Sequence, residues 1–310
     1  MERRRIGSLD VSLVGLGCNN FGMRIDAAQT KAVVDAAIDA GITYFDTAES
    51  YGNGASEEYL GAAVQGRRDQ VLIATKWGMA VAEGGPPPGS RDAIRAAVEG
   101  SLRRLGTDYI DHYQLHRPDP DTPVGETLSA LAELREAGTV REIGCSNFSA
   151  DQLDEAASIA TELGISGFAS VQNRYSVLTR DPDTDGVLDA CARHGIAFVP
   201  FFPLESGVLT GKYRAGAPMP EDSRLAAWGD RAARFIDDDR LRDVAALTEW
   251  AESRGHSVLD LAASWLGSNP LVSTVICGAT KPEQVHANAE AASWTMSDAE
   301  RAEAVALLSA

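Results

Sequence analysis

The sequence predicts a single (β/α)8 TIM barrel over residues 1–310, with an N-terminal β-hairpin and an extra C-terminal helix. Three observations carry this. Short β-branched and aromatic runs alternate with Ala-rich helical stretches about eight times along the chain. No linker-like stretch divides them. Several of the runs end abruptly on a polar residue, where a barrel of this class gathers its catalytic groups.

The elements follow in order. Residues 3–6 and 11–16 flank Gly7-Ser8-Leu9-Asp10 and read as a hairpin whose second arm runs on into the first barrel strand. Residues 27–40 form an Ala/Val-rich helix stopped by Gly41. Residues 42–45 are the second strand, ending at Asp46, and a loop carrying Tyr51 follows. Ser56 caps the next helix, with Glu57 and Glu58 in its first turn, where the helix dipole favours acids. Residues 71–75 are a strand ending in Lys76, and the GGPPPG loop at 84–89 follows. A helix begins at a capping Ser90, and residues 109–115 make a strand ending in His116. Strands at 141–145, 169–172, 196–201 and 271–276 alternate with helices at 124–137, 149–163, 186–194, 242–253, 258–267 and 282–291. Residues 297–308 form the extra terminal helix. The rival architecture is a doubly wound sheet with a dinucleotide crevice. Its glycine fingerprint is incomplete here, because Gly15-Leu16-Gly17-Cys18-Asn19-Asn20 lacks the third glycine.

Composition bounds the function. The 310 residues are 44% hydrophobic with a formal net charge of −17, which disfavours nucleic acid and anionic membranes as partners. No apolar run approaches the roughly 20 residues that span a bilayer, and MERRRIGSLD has no apolar stretch behind its charges, so no signal peptide is read. Cys18, Cys145, Cys191 and Cys277 are scattered without a CxxC pair, as expected of free thiols in a reducing cytoplasm. Only Lys31, Lys76, Lys212 and Lys281 are lysines among the 28 basic residues, so a Lys at a strand end draws notice.

Asp46, Lys76 and His116 close three successive strands, and neighbouring strands lie about 5 Å apart. With Tyr51 just beyond the first of them, the four side chains can converge. Each alone has an ordinary explanation: a turn cap, a surface ion pair, a loop histidine, a loop aromatic. Together they suit carbonyl reduction. A phenol titrates near 10, and a neighbouring ammonium is expected to lower that value and make Tyr51 a usable proton donor. Asp46 would keep Lys76 charged and oriented, and His116 would polarise the substrate oxygen. The hydride must come from a nicotinamide cofactor, because no side chain supplies one. His112 and His116, four apart, would suit zinc on a helix. The segment reads as a strand, with His112, Gln114 and His116 on one face, so no metal is expected.

These residues resemble the aldo-keto reductase superfamily over nearly the full length. Residues 41–48 with Tyr51-Gly52 look like its Asp-and-Tyr motif, residues 75–78 (TKWG) like its lysine strand, and residues 111–118 (DHYQLHRP) like its histidine strand. Residues 144–148 and 203–213 are similar to its cofactor segments. The resemblance implies NADPH/NADP+ as cofactor and an aldehyde or ketone as the small-molecule substrate. It implies catalytic roles for Asp46, Tyr51, Lys76 and His116. It places Ser146, Asn147 and Gln172 on the nicotinamide carboxamide and Phe201 against the nicotinamide ring. Leu204, Gly207 and Lys212 fall in the loop over the pyrophosphate, with Phe202 standing where the family usually has a small polar residue. Gly278, Thr280, Lys281, Gln284 and Asn288 form the adenosine-phosphate end, where a helix N-terminus favours an anion. Gly17 and Asp46 are counted with the cofactor residues. Asn20, Phe21 and Trp77 are expected substrate walls, along with the 213–237 segment that carries Arg224 and Trp228. The same resemblance admits a second role, a cofactor-binding regulatory subunit similar to the potassium-channel β subunits.

Overall fold

The protein is described from a computed structural model over residues 1–79, 85–213, 219–220, 223, 225–226, 229, 232 and 236–309. The 84–89 loop is described from residue 85, and Arg224 and Trp228 lie outside the described residues.

The hairpin comes first, β1 (Arg3–Ile6) antiparallel to β2 (Leu9–Ser12). Its turn is shorter than the sequence suggested: Leu9 and Asp10 already pair in the ladder, leaving Gly7-Ser8 as the connection. Gly7 has φ +55, and a Cβ there would meet the Glu142 carboxylate at 2.5 Å, so only glycine fits. Glu142 in turn accepts the Ser8 amide at 2.7 Å. The second arm does not run on into the barrel, and Leu13 separates it from β3 (Val14–Gly17).

Chain order then alternates: α1 (Ala27–Asp39), β4 (Tyr44–Asp46), α2 (Ala55–Ala63), β5 (Leu72–Trp77), α3 (Arg91–Leu105), β6 (Ile110–Leu115), α4 (Val124–Glu136), β7 (Val140–Ser146), α5 (Ala150–Leu163), β8 (Ser170–Arg174), α6 (Val187–His194) and β9 (Ala197–Phe201). After the 213–237 segment come α7 (Asp238–Glu252), α8 (Val258–Gly267), β10 (Val275–Gly278), α9 (Pro282–Ala291) and α10 (Asp298–Ala306). The eight strands β10-β3-β4-β5-β6-β7-β8-β9 are hydrogen-bonded in that order, each pair parallel. One bridge between Phe198 and Val272 closes the ring. Local signals set the helix starts: Asp26 with Gln29, Ser149 with Gln152, Ser257 with Asp260 and Ser297 with Glu300 form reciprocal caps.

Four boundaries differ from the sequence reading. Ser56 lies inside α2, whose cap is Gly54; its hydroxyl bonds Thr47 Oγ1 at 2.8 Å and the Cys18 carbonyl at 2.9 Å. Ser90 is at the cap of α3 but gives its hydroxyl to the Pro87 carbonyl instead. The helix expected from residue 242 begins at Asp238, capped by Asp237. The last strand moves from 271–276 to Val275–Gly278, because Val272 turns back on the Asn269 carbonyl and Ser273 bonds the hairpin at Arg5.

Most of the core lies between strands and helices. A smaller one fills the barrel floor, where Ile6, Leu9 and Val11 of the hairpin meet Tyr44, Ala74, Val199 and Ile276. Burial of each hairpin side chain contributes roughly 1.5–3 kcal/mol, so the hairpin is a plug held by its own apolar face. Among the described residues, no helix is long and apolar enough to cross a membrane.

Candidate active site

Period-two alternation along the strands sends one set of side chains into the barrel. The lower tier is a hydrogen-bonded line. Tyr44 Oη lies 2.7 Å from His112 Nδ1, and Ser170 Oγ lies 3.0 Å from His112 Nε2. Gly144 makes room for it, since a Cβ there would come within 2.5 Å of the imidazole. His112 is thus a fully engaged interior residue, and burial holds its pKa at about 3. The unfolded imidazole titrates near 6.5, so below that pH the unfolded state binds the proton that the folded one refuses. Stability should be level above pH 6.5 and fall as pH drops, by about 2 kcal/mol from this residue by pH 5. Urea unfolding of the wild type and His112→Gln at pH 7.5 and 5.0 checks this, the variant losing less on acidification. Equal losses would remove His112 from the acid response.

The upper tier opens on the C-terminal mouth. Lys76 is fully buried and donates to both oxygens of Asp46, each at 2.7 Å, and to the Thr47 carbonyl at 3.0 Å. Asp46 Oδ1 also receives Gln172 Nε2 at 3.0 Å and Gln114 Nε2 at 3.5 Å. A buried carboxylate and ammonium so thoroughly satisfied are a fixed charge pair; burial alone would lower the Lys76 pKa, but Asp46 first and Tyr51 second outweigh it and raise it.

Tyr51 begins a tight turn (Tyr51–Gly54) in which Gly52 and Asn53 both have positive φ. That turn aims the phenol back at the strands. The Lys76 ammonium sits 5.2 Å from the Tyr51 ring centroid, near enough for its charge to act on the phenol. The His116 imidazole meets the same ring edge-on at 5.9 Å. The expected lowering of the phenol pKa is not the net result. Burial raises it, Asp46 raises it further, and Lys76 only offsets part of the rise. Tyr51 therefore carries its proton throughout the neutral range, the form a donor needs. His116 is held neutral, with a pKa of about 3, by burial and by the Lys76 and Arg117 charges. Its Nδ1 is buried and without a partner among the described residues.

A cavity of about 480 Å³ runs from this cluster across the barrel mouth. It is lined by Asp46, Tyr51, His116 and Asn20, by Gly17, Ser146, Asn147, Gln172, Phe201, Phe202, Leu204, Gly207 and Lys212, and by Gly278, Thr280, Gln284 and Asn288. Ser146 Oγ donates to the Gln172 carbonyl at 2.6 Å, and Asn147 Nδ2 donates to Ser146 Oγ and the His116 carbonyl, each at 3.0 Å. Thr280 presents its amide and hydroxyl to Gln284 Oε1 at 2.8 and 3.1 Å. Lys281 stands exposed at the cap of α9, just outside the lining.

Two expected substrate walls do not face the cavity. Phe21 is fully buried. Trp77 follows Lys76 on β5, so alternation sends it to the outer face, where it stacks on Tyr113 at 4.4 Å and donates its indole N–H to the Pro88 carbonyl at 2.9 Å. The mouth instead includes Arg24, Met79 and Arg117, which the sequence reading passed over. For Arg117 the signal was its place directly after His116. Gln114 was legible too, two residues before His116 on one strand. Among the described residues no group of three His, Cys, Asp or Glu side chains could hold a metal.

The fit to a dinucleotide is testable on the cavity itself. An orphaned polar atom marks where a ligand's groups would be met: Ser206 Oγ is buried without a partner among the described residues, on the wall that holds Gly207 and Lys212. The cavity also offers amide donors and acceptors, an aromatic ring and a helix start.

Known proteins agree with this geometry. The model of the Aldo/keto reductase family matches residues 13–308. The chain is 37% identical over 303 residues to a probable voltage-gated potassium channel subunit beta of Arabidopsis thaliana, covering 94% of this chain and 91% of that protein. It is 33% identical over 308 residues to an L-glyceraldehyde 3-phosphate reductase of Escherichia coli O157:H7, covering 94% and 87%. The solved structure of a glycerol dehydrogenase from Gluconobacter oxydans is similar with a TM-score of 0.83 at 29% identity, over 98% of this chain and 94% of that one. With the charge pair, phenol and imidazole gathered at the mouth of an eight-stranded parallel barrel, the chain belongs to the aldo/keto reductase family of oxidoreductases.

Proposed function

We infer that the protein reduces an aldehyde or ketone to an alcohol, reversibly and with NADPH, as a single barrel domain in the cytoplasm. The observation that carries this is the protonated Tyr51 set beside the Lys76–Asp46 pair on the wall of the cavity. Phe201 would hold the nicotinamide ring, and the hydride for the carbonyl carbon would come from the bound NADPH. Tyr51 donates its proton to the carbonyl oxygen. Lys76 stabilises the phenolate left behind, and Asp46 keeps the ammonium from wandering. His116, neutral and adjoining the phenol, polarises the same oxygen as a hydrogen-bonding dipole rather than as a charge. Ser146, Asn147 and Gln172 would orient the carboxamide, and Ser206, Gly207 and Lys212 would meet the phosphates. Four buried free cysteines are in keeping with a reducing compartment.

A panel of aldehydes and ketones with NADPH, followed at 340 nm, tests the reading. The relatives also include a potassium-channel β subunit, so a regulatory subunit with little turnover is the second reading. Tight NADPH binding with no turnover on the whole panel would favour it.

Cofactor choice would rest on Thr280 and Lys281. The 2′-phosphate of NADPH needs cationic or strong donor partners. Thr280 lines the cavity, and Lys281 stands next to it at the start of α9. Lys281→Met should weaken NADPH binding by roughly 1–3 kcal/mol and leave NADH binding nearly unchanged. Both dissociation constants, measured on both proteins, check this; equal losses for the two cofactors would mean that Lys281 supports the segment without reading the phosphate.

A further inference from the structure

The wall between β9 and α8 is built on unusual backbone. Phe202, Glu205 and Ser206 have φ of +55, +44 and +58, conformations that residues with a side chain rarely adopt. Phe202, Pro203, Leu204, Ser206, Gly207, Thr210 and Lys212 all line the cavity. Glu205 does not: its side chain points the other way and is fully buried. There its Oε2 accepts Arg174 Nη2 at 2.5 Å and Arg240 Nη1 at 3.1 Å, and its Oε1 accepts Ser176 Oγ at 2.7 Å. The three donors come from separate places: the end of β8, the first turn of α7 and the loop after β8.

A carboxylate gripped from three sides costs several kcal/mol to desolvate and returns that only through ideal partners. It adds no apolar packing, so bulk stability is a poor reason for placing it there. Its effect is positional. It fixes the strained turn whose neighbours, Ser206 and Gly207, face the cavity, and Ser206 Oγ waits there without a partner among the described residues. We propose that Glu205 is a positioning residue for the phosphate-facing wall: through Arg174, Arg240 and Ser176 it holds residues 202–212 in the shape that grips the pyrophosphate of a bound dinucleotide, and so sets how long that dinucleotide stays. This rests on the NADPH reading above, and two readouts separate the claims.

Glu205→Gln keeps the shape and removes the charge between the two guanidiniums. Stopped-flow fluorescence of NADPH should show its dissociation rate rise at least 10-fold, with the association rate within about threefold of wild type. Hydrogen exchange at amides 206–209 of the cofactor-free protein should quicken by a similar factor, while exchange in β4 to β6 is unchanged. If Glu205→Gln fails to fold, Arg240→Met removes one arm of the grip from the partly exposed side and should raise both rates several-fold. Unchanged exchange at 206–209 in a folded variant overturns the proposal, as does an unchanged dissociation rate. Absence of dinucleotide binding by the wild type would overturn both the retention role and the NADPH reading. Exchange that then quickened in the variant would show the wall held by Glu205 for another ligand.

Discussion

Tyr51→Phe is expected to slow carbonyl reduction by about 10²–10⁴-fold, the range over which a positioned proton donor acts, while leaving NADPH affinity nearly unchanged. The phenol oxygen is the only atom removed. It belongs to the ring beside the Lys76 ammonium on the cavity wall, and is not among the groups that would meet the phosphates. Burial raises the phenol pKa, so the wild-type donor holds its proton at neutral pH. Single-turnover rates at saturating NADPH, with the dissociation constant from fluorescence, decide the point. Activity within a few-fold of wild type would take Tyr51 out of the mechanism.

The second large effect is Lys76→Met. The substitution leaves Asp46 buried with the Gln172 and Gln114 side-chain amides as donors and without the Lys76 cation. Breaking a buried pair from one side costs roughly 3–5 kcal/mol, so the variant should be much less stable at pH 8. A buried carboxylate left without its cation escapes the penalty by taking up a proton. The deficit against wild type should therefore shrink as pH falls towards 5. Adding Asp46→Asn should recover much of the stability, because no charge is then left alone. Activity should not return, because nothing remains to stabilise the phenolate. Urea unfolding at both pH values, with turnover of the single and double variants, separates the two roles of Lys76. A double variant that regained reduction would show that the pair only holds the fold.

How much of this was legible in the sequence depended on range. Asp46, Lys76 and His116 were readable because each breaks a hydrophobic strand at its end, and register then does the rest: Asp46 lies beside Ala74, and Lys76 beside Gln114. Trp77 was misplaced although period-two alternation alone sends the residue after Lys76 to the opposite face. Ser56 and Ser90 have the right residue type for caps, but nearer acceptors took their hydroxyls. The last strand slipped because Leu271 and Val272 are as apolar as any strand residue, and only the Asn269 turn removes them from the ladder. Glu205 was out of reach. Its partners lie 31, 29 and 35 positions away, and a lone Glu in a loop reads as solvated until the fold brings arginines to it. The sign of the Tyr51 shift was also hidden, because the depth of burial decides it and the pattern of residues does not.

The single Phe198–Val272 bridge has a mechanical meaning. β8 and β9 are joined along five residue pairs, whereas β9 meets the segment leading into β10 through the one bridge to Val272, made by the Phe198 amide on the Leu271 carbonyl and the Ser273 amide on the Phe198 carbonyl. The barrel is thus a hoop with a lightly riveted joint. Above that joint the two lips diverge, Phe201 and Phe202 on one side and Ile276 and Gly278 on the other, and both belong to the one cavity. A ligand that filled the cavity would touch both sides of that joint, adding contacts across the one place in the ring where backbone hydrogen bonds are fewest among the described residues.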